Sequence, residues 1–287
     1  MTVPTLRLDS PGFGVSLQDR GRFGWRRFGV PCSGWMDDHA ARWANRLLDN
    51  AGAAVVLEIQ FQGVKFTVLE DAWIAITGAD LTCNVGTWRV VHLKEGQILQ
   101  FPQSRTGLWA YLAVEGGFEA ESILDSRSAC PRARIGRTLV ATDVLARNSQ
   151  HSFELPPGVA GRTAPWPEHR NYNKPPRFRV WPGPQWGSFT KSDQETFFKT
   201  GWTVTSQSDR VGYRLAGPRL QPSQTEIISE PVRVGSIQTP ENGQPIVTMR
   251  DGPTVGGYPK IGLLDAQDIS WLAQCRPGQT VRFDLVQ

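Results

Sequence analysis

The sequence has 287 residues, of which 39% are hydrophobic and 20% charged, a balance typical of a folded globular protein. Its net charge of +4 reflects 31 basic against 27 acidic residues, and the basic residues are scattered, which argues against a nucleic-acid footprint. No signal peptide opens the sequence, and no run approaches the roughly 20 apolar residues of a membrane span. We therefore expect a soluble cytoplasmic protein with no nucleic-acid or membrane partner.

The four cysteines and four histidines do not form a metal-binding pattern. Cysteines occur at positions 32, 83, 130 and 275, and no pair has the Cys-x-x-Cys spacing of a zinc site. The histidines show no His-x-x-x-His spacing. We predict no metal site.

Short strands dominate the predicted secondary structure. The 29 glycines and 21 prolines separate β-branched and aromatic runs, which is typical of strands joined by tight turns. In the first half we predict strands within residues 5–12, 55–71, 72–80, 96–103, 108–118 and 143–147. The fold class predicted is mainly β.

One helix is predicted from residue 36 to 48, where apolar residues recur at helical spacing. It opens on Met36-Asp37-Asp38, with two carboxylates where one would suffice as a cap. Taken singly, either acid could serve only the helix. Because a helix N-terminus offers backbone N–H groups beside a carboxylate, it can also hold a polar ligand. We expect one acid to satisfy the helix and the other to face a ligand.

A second helix and a domain connection follow. Residues 192–198 read as a helix with Ser192 and Glu195 in capping-box relation. Residues 151–180 are rich in proline and lack periodicity, as expected of a connection. We predict an N-terminal β-barrel-like domain over 1–165 and a C-terminal one over 166–287.

A glycine-rich loop at 249–262 contains Lys260, the only lysine after Lys199 in a chain that strongly prefers arginine. A lysine ammonium is compact and can lose its proton when desolvated, unlike a guanidinium. Because Ile261 follows Lys260, the loop is not a phosphate-binding Walker loop. None of the three methionines precedes a lysine, so we expect no biotin on this chain.

Taken in order, these motifs resemble the carboxyltransferase-like family that includes allophanate hydrolase subunit 2 and the C-type subunit of 5-oxoprolinase, earlier described as an antagonist of a sporulation-kinase inhibitor. The resemblance runs from residue 14 to 268. It is carried by the segments LQDRGRFG, GVPCSGWMD, LEI, ITGAD, YLAVEGGF, SRSA, GPQ, SDRVGYRL, GSIQTPENGQPIV and DGPTVGGYPKIG.

The resemblance implies two cyclophilin-like β-barrel domains and an enzyme subunit that works with others. In the family, an ATP-dependent 5-oxoprolinase, which opens 5-oxo-L-proline to L-glutamate, also needs a paired B-type subunit and a lactam-utilisation subunit. ATP would be bound by this chain or by its partner. One alternative is a carboxyltransferase component acting on urea or a related amide, and another is a non-enzymatic regulatory binding protein.

The resemblance also identifies candidate site residues. Asp37 matches the family's aspartate in Ser-Gly-x-Met-Asp, and Lys260 matches its lysine in Gly-Gly-Tyr-x-Lys. We predict that this catalytic pair acts in one pocket, with Asp37 accepting the amide N–H and Lys260 binding the oxygen or a transferring phosphoryl or carboxyl group. The predicted substrate-binding residues are Gln18, Asp19, Arg22, Asn45, Gln238 and Tyr258.

The chain departs from the family pattern beside both predicted catalytic residues. Trp35 replaces a proline two residues before Asp37, and Pro253 and Val255 replace polar residues in the loop before Lys260. These changes predict either a different substrate or reduced activity.

Overall fold

The computed structural model describes residues 2–148 and 155–286. The chain divides into two compact units, Met1–Arg22 with Ser33–Tyr172 and Phe23–Cys32 with Asn173–Gln287. The second unit therefore includes a segment from early in the sequence. The domain boundary predicted between residues 165 and 166 stays a prediction, and residues 151–154 of the predicted connection lie outside the described residues.

The mainly β class with a few short helices is confirmed. The first unit contains strands β1 Thr2–Pro11, β2 Val15–Gln18, β3 Val56–Gln60, β4 Val64–Val68, β5 Ala72–Asp80, β6 Val90–Leu93, β7 Ile98–Phe101, β8 Thr106–Val114 and β9 Val144–Asn148, with helix α1 Asp38–Leu47. The second contains β10 Phe178–Pro182, β11 Trp202–Val204, β12 Gly212–Ala216, β13 Glu230–Pro231, β14 Ser236–Gln238, β15 Ile246–Thr248, β16 Val255–Gly256, β17 Lys260–Leu264, β18 Thr280–Val281 and β19 Phe283–Leu285, with helices α2 Lys191–Lys199 and α3 Ile269–Ala273. Each predicted run in the first half contains a strand, whereas β2 and β6 were not predicted.

Two antiparallel sheets form the first unit, in the orders β7-β4-β1-β9 and β2-β3-β8-β5-β6. Alternate residues of each strand face opposite sides of a sheet. Leu8 from the first sheet and Leu57, Ile74 and Leu112 from the second belong to one buried cluster. Strand β8 is buried at nearly every residue, because its other face is covered by α1.

The second unit is built on an eight-stranded sheet in the order β18-β11-β12-β15-β14-β17-β10-β19, a nearly closed barrel sheet. All of its pairings are antiparallel except that of β10 with β19. Strands β13 and β16 form a separate two-stranded sheet. Helix α2 contributes Phe197, whose ring stacks on that of Phe283 with centroids 4.8 Å apart.

The longest helix within residues 2–148 and 155–286 has ten residues, about half of what a bilayer span requires. None of the helices described there could cross a membrane.

The second predicted helix exists, but its predicted cap is wrong. The N-cap of α2 is Thr190, whose hydroxyl accepts the backbone N–H of Asp193, while the Asp193 carboxylate accepts the N–H of Thr190. The helix therefore begins one residue before Ser192, and Ser192 and Glu195 lie inside it. Both pairs satisfy the same spacing rule, so sequence alone did not distinguish them. Helix α3 was not predicted.

A buried ion pair joins the end of β8 to β9. Glu115 lies 3.1 Å from the Arg147 guanidinium and also accepts the backbone N–H of Trp73. Burial raises the pKa of Glu115 to about 7, and the attraction of Arg147 offsets only part of that shift. Between the two pKa values, 4.5 in the unfolded chain and about 7 in the folded protein, Glu115 therefore holds a proton that the unfolded chain releases.

We expect the cap of α2 to be measurable. Replacing Thr190 with alanine should lower the free energy of unfolding by about 1 kcal/mol, because it leaves a helix N–H unsatisfied. Ser192→Ala is the matched control and should stay within about 0.5 kcal/mol of wild type. Urea unfolding followed by circular dichroism measures both. Equal losses in the two variants would contradict the assignment of the cap to Thr190.

We also expect Glu115 to make stability depend on pH. Because its pKa rises from 4.5 to about 7 on folding, its contribution is complete at low pH and is lost as pH rises through the folded value. The expected loss is roughly 1 to 3 kcal/mol. In Glu115→Gln this loss should disappear from urea unfolding curves recorded from pH 5 to 8.

Glu70→Gln is the control for that experiment, because Glu70 is exposed and lies 3.7 Å from the same Arg147 guanidinium. The same pH dependence in both variants would show that charge beside Arg147, and not the buried carboxyl of Glu115, is responsible.

Candidate functional site

Three polar residues form a row across adjacent strands beneath α1. Glu58 of β3 pairs with Tyr111 of β8, which in turn pairs with Thr77 of β5. They lie on the sheet face opposite the apolar cluster, since their sequence neighbours Leu57, Ile76 and Leu112 point into it. All three are at most 1% exposed, so their polar atoms need partners inside the protein.

Those partners are the backbone atoms where α1 begins. The N–H of Met36 donates to Glu58 Oε2 at 2.8 Å, and the N–H of Asp37 donates to the Tyr111 hydroxyl oxygen at 2.6 Å. The Tyr111 hydroxyl in turn donates to Glu58 Oε2 at 2.8 Å. Burial raises the pKa of Tyr111 well above its ordinary value, and the carboxylates of Glu58 and Asp37 reinforce the shift. The phenol therefore stays neutral and donates.

The third member of the row holds the first turn of the helix. Thr77 donates its hydroxyl proton to the carbonyl of Ala40 at 2.7 Å. The sheet thus fixes the backbone on both sides of Asp37.

The carboxylate of Asp37 is fully buried. Its Oδ1 accepts the N–H of Ala40 at 3.1 Å, and its Oδ2 accepts the hydroxyl proton of Tyr172 at 2.9 Å. A guanidinium nitrogen of Arg170 lies 3.7 Å from Oδ1.

Helix α1 is capped by Asp37, and not by its neighbour. Asp38 is partly exposed and pairs with Arg42 one turn along the helix at 3.2 Å. Of the two acids, Asp37 is therefore the one that caps the helix, and the expectation that one of them faces a ligand stays a prediction. The role of Asp37 toward a substrate is part of that prediction.

Asp19 organises the loop that includes residues 126–128. Its carboxylate accepts hydrogen bonds from the hydroxyls of Ser126 and Ser128 and from the backbone N–H groups of Gly21 and Arg127, at 2.6 to 2.8 Å. Burial opposes its ionisation, but these hydrogen bonds outweigh burial and hold the pKa of Asp19 below its ordinary value. The geometry favours a structural role.

Arg22 and Gln18 bind the same region. Arg22 donates to the carbonyls of Ile123 and Ser128, and Gln18 donates to that of Ala129 at 3.0 Å. Both are nearly fully buried. Within the described ranges the side-chain oxygen of Gln18 has no hydrogen-bond partner. Of these two side chains, Gln18 is therefore the one with an unused hydrogen-bond acceptor.

Asn45 fastens the end of α1 to the next loop. It donates to the carbonyl of Ala54 at 2.8 Å and accepts from the amide of Asn50 at 3.1 Å. Its contacts are those of a structural residue.

Lys260 begins β17 in the second unit, and its side chain is 4% exposed. Its ammonium lies 2.5 Å from Glu230 Oε1 and 3.4 Å from the carbonyl of Pro231. Gln185 donates to the same Glu230 oxygen at 2.8 Å. The hydrogen bond from Lys260, helped by the one from Gln185, holds the pKa of Glu230 below its ordinary value.

Gln238 pairs with Lys260 across β14 and β17, at an irregularity in the register of these two strands. Gln238 is 6% exposed, and its amide nitrogen has no hydrogen-bond partner among the described residues. A Cβ on Gly256 would lie 2.7 Å from that nitrogen, so only glycine leaves it uncrowded. Lys260 and Gln238 thus present an ammonium and an unused amide donor.

The loop before Lys260 contains Tyr258, a predicted substrate-binding residue, and Pro253 and Val255, which depart from the family pattern. Tyr258 is 41% exposed, so its side chain is accessible to a ligand. Val255 is also exposed and belongs to β16. The carbonyl of Pro253 accepts a hydrogen bond from Arg26 at 3.0 Å.

Several residues of these networks were not predicted from the sequence. Glu58, Tyr111 and Gln185 lie within the quoted LEI, YLAVEGGF and GPQ motifs, and a glutamate inside an apolar strand is itself a signal of a buried partner. Tyr172 and Glu230 carried no such signal, since their partners lie far away in the sequence. Asp37 belongs to the first unit and Lys260 to the second, and their joint action stays a prediction.

The fold and these motifs are those of a carboxyltransferase-type protein. The chain belongs to the family of the carboxyltransferase domain, subdomain A and B, which matches residues 28–285. It is 36% identical to the C-type subunit of the 5-oxoprolinase of Haemophilus influenzae over 95% of this chain and 88% of that protein. The family prediction is confirmed.

Longer solved structures contain a similar fold. TTHA0988 superposes with a TM-score of 0.88 at 33% identity, over 98% of this chain and 56% of that one. The urea carboxylase of Kluyveromyces lactis gives a TM-score of 0.89 at 27% identity, over 100% of this chain and 28% of that one. This chain therefore corresponds to only part of each.

We expect the hydroxyl of Tyr111 to be a main support of the Asp37 backbone. Tyr111→Phe should lower the free energy of unfolding by about 1 to 3 kcal/mol, because the change removes a buried partner of both the Asp37 N–H and Glu58. Tyr258→Phe removes an exposed hydroxyl and is the control, with an expected effect below about 0.5 kcal/mol. Urea unfolding measures both, and no difference between the variants would contradict the network.

Proposed function

We propose that the chain is the C-type subunit of an ATP-dependent 5-oxoprolinase, which opens 5-oxo-L-proline to L-glutamate together with a paired B-type subunit and a lactam-utilisation subunit. The similarity to the C-type subunit of a 5-oxoprolinase along almost the whole length of both proteins carries this proposal. The buried donors Lys260 and Gln238 also support it.

A lactam carbonyl is unreactive because nitrogen resonance stabilises it, so an enzyme must stabilise the negative charge that develops on oxygen. Lys260 and Gln238 are suited to this, since both are buried donors on paired residues of β14 and β17. Asp37 would accept the lactam N–H and orient the ring. In these roles Lys260 and Gln238 act as hydrogen-bond donors and Asp37 acts as an acceptor.

ATP, bound by this chain or by a partner, would supply the free energy that drives the ring opening. The unpartnered amide of Gln238 beside the Lys260 ammonium fits an anionic oxygen. Such a pair of donors could bind a phosphoryl group, a carboxyl group or the lactam oxygen.

A second function keeps the site and changes the reaction. The similarity to urea carboxylase favours a carboxyltransferase component that passes a carboxyl group to urea or a related amide. Biotin would then be carried by another protein, since no methionine of this chain precedes a lysine. The same donors would bind the transferring carboxyl group.

We expect the complex reconstituted from all subunits to release phosphate in the presence of ATP and 5-oxoproline. Lys260→Met should reduce kcat/KM about 100- to 1,000-fold, the usual cost of a lost donor to developing charge. Asp37→Asn should also slow phosphate release. It should not weaken the helix cap, because asparagine and aspartate cap helices equally well. Phosphate release and complex assembly are measured together.

Lys191→Met is the control, because Lys191 is exposed, and it should leave the rate unchanged. Full activity of both site variants in an assembled complex would contradict the catalytic roles. Absence of lactam-dependent phosphate release, together with carboxybiotin-dependent transfer to urea, would favour the second function.

A further inference from the structure

The Lys260 ammonium needs a fixed counter-charge because it is almost completely buried. An unpaired buried charge is costly, so buried ammonium groups are paired or lose their proton. In the part of the chain that the structure describes, Glu230 is the one carboxylate within 4.0 Å of it. Neither the sequence motifs nor the proposed chemistry assigns a role to Glu230.

Gln185 clamps this pair from two directions. Its amide nitrogen donates to Glu230 Oε1 at 2.8 Å, and its amide oxygen accepts the backbone N–H of Lys260 at 3.0 Å. One side chain therefore ties the carboxylate to the backbone that carries the lysine. The Glu230 oxygen is held by two donors instead of one, which restricts its position.

The glycine two residues earlier explains how Gln185 reaches that place. A Cβ on Gly183 would lie 2.2 Å from the carbonyl oxygen of Lys260, a separation that no side chain permits. The N–H of Gly183 donates to the carbonyl of Ile261 at 3.0 Å. The Gly-Pro-Gln turn therefore packs directly on the start of β17.

Glu230 and the free amide donor of Gln238 are both linked to Gly256. In the β13–β16 pair, Glu230 is directly opposite Gly256, and Gly256 is the residue that leaves space beside the Gln238 amide. The two small strands thus bring the counter-charge and the unused donor to the same place as Lys260.

A count of hydrogen-bond donors shows what remains for a ligand. An ammonium has three N–H donors, of which Glu230 and the carbonyl of Pro231 use two. Within residues 2–148 and 155–286 the third has no partner. One ammonium donor and one amide donor are therefore available together.

We propose that Glu230, fixed by Gln185, is the positioning residue of Lys260: the ion pair holds the ammonium in one place, so that Lys260 acts as a fixed cation for an oxyanion. Lys260 then serves neither as a nucleophile nor as a base, since both roles require the neutral amine. The inference rests on the proposed function for the reaction that it serves. The pairing itself can be tested without that reaction.

The pairing is tested on the isolated chain by a proton–nitrogen correlation spectrum selective for lysine ammonium groups, with the Lys260 signal assigned by its loss in Lys260→Met. We expect a persistent signal in wild type, because a buried, ion-paired ammonium exchanges its protons slowly. In Glu230→Gln its exchange should speed up about tenfold or more. Glu226→Gln, at an exposed glutamate nearby, should leave the signal unchanged.

The consequence for catalysis is tested in the reconstituted complex. Glu230→Gln should lower kcat/KM about 10- to 100-fold, as expected for a displaced catalytic group. Glu230→Asp should recover part of the loss because it restores the charge, and Gln185→Ala should give an intermediate loss. Thermal unfolding of each variant separates a positioning effect from a folding defect. Only in the case of a folding defect would the loss of activity follow the loss of thermal stability.

Three outcomes would overturn the proposal. A Lys260 signal that is unchanged in Glu230→Gln would show that the pair does not fix the ammonium. A rise in activity of that variant would show that Glu230 blocks the site instead of organising it. Activity losses that follow thermal stability, with no recovery in Glu230→Asp, would show a structural role alone. If Lys260→Met leaves the complex active while the spectroscopic result holds, the pairing is correct and the proposed function of Lys260 fails.

Discussion

The start of α1 is buried, and its backbone N–H groups must therefore find partners inside the protein. An α-helix leaves its first N–H groups without intrahelical acceptors, and at the surface water would satisfy them. Here the Asp37 carboxylate accepts the N–H of Ala40 in the first turn, while Tyr111 accepts the N–H of the N-cap Asp37 and Glu58 that of Met36 just before it. The Asp37 carboxylate can be buried here because the row of polar residues on the sheet beneath the helix satisfies the neighbouring backbone groups.

The second unit solves a comparable problem for a positive charge. The Lys260 ammonium is buried and is compensated by Glu230, which Gln185 holds in turn. In the first unit Glu58 and Tyr111, on paired strands, hold the backbone that carries Asp37, and in the second Glu230, on the paired strand β13, holds the Lys260 ammonium. Such rigidity favours a site that binds a developing charge without rearranging.

Local pattern predicted much of this fold. Alternation of apolar residues indicated the strands of the first half, and helical spacing with an acid at the start indicated α1, because both signals depend only on nearby residues. The cap of α2 was misplaced by two residues, since Thr190 with Asp193 and Ser192 with Glu195 satisfy the same rule. Helix α3 has five residues, too few to produce a periodic signal.

The sequence alone determined the fold class, the family and the residue types at the candidate site, because strand alternation and short motifs are local properties of the chain. Only the tertiary structure decided which acid caps α1, which tyrosines hold Asp37, and that Glu230 faces Lys260. Tyr172 and Asp37 are 135 residues apart, and Lys260 and its counter-charge meet through the pairing of separate strands. Such partnerships depend on strand register, which decides which residues meet, and on burial, which removes water as the alternative partner. No local pattern of residues specifies either.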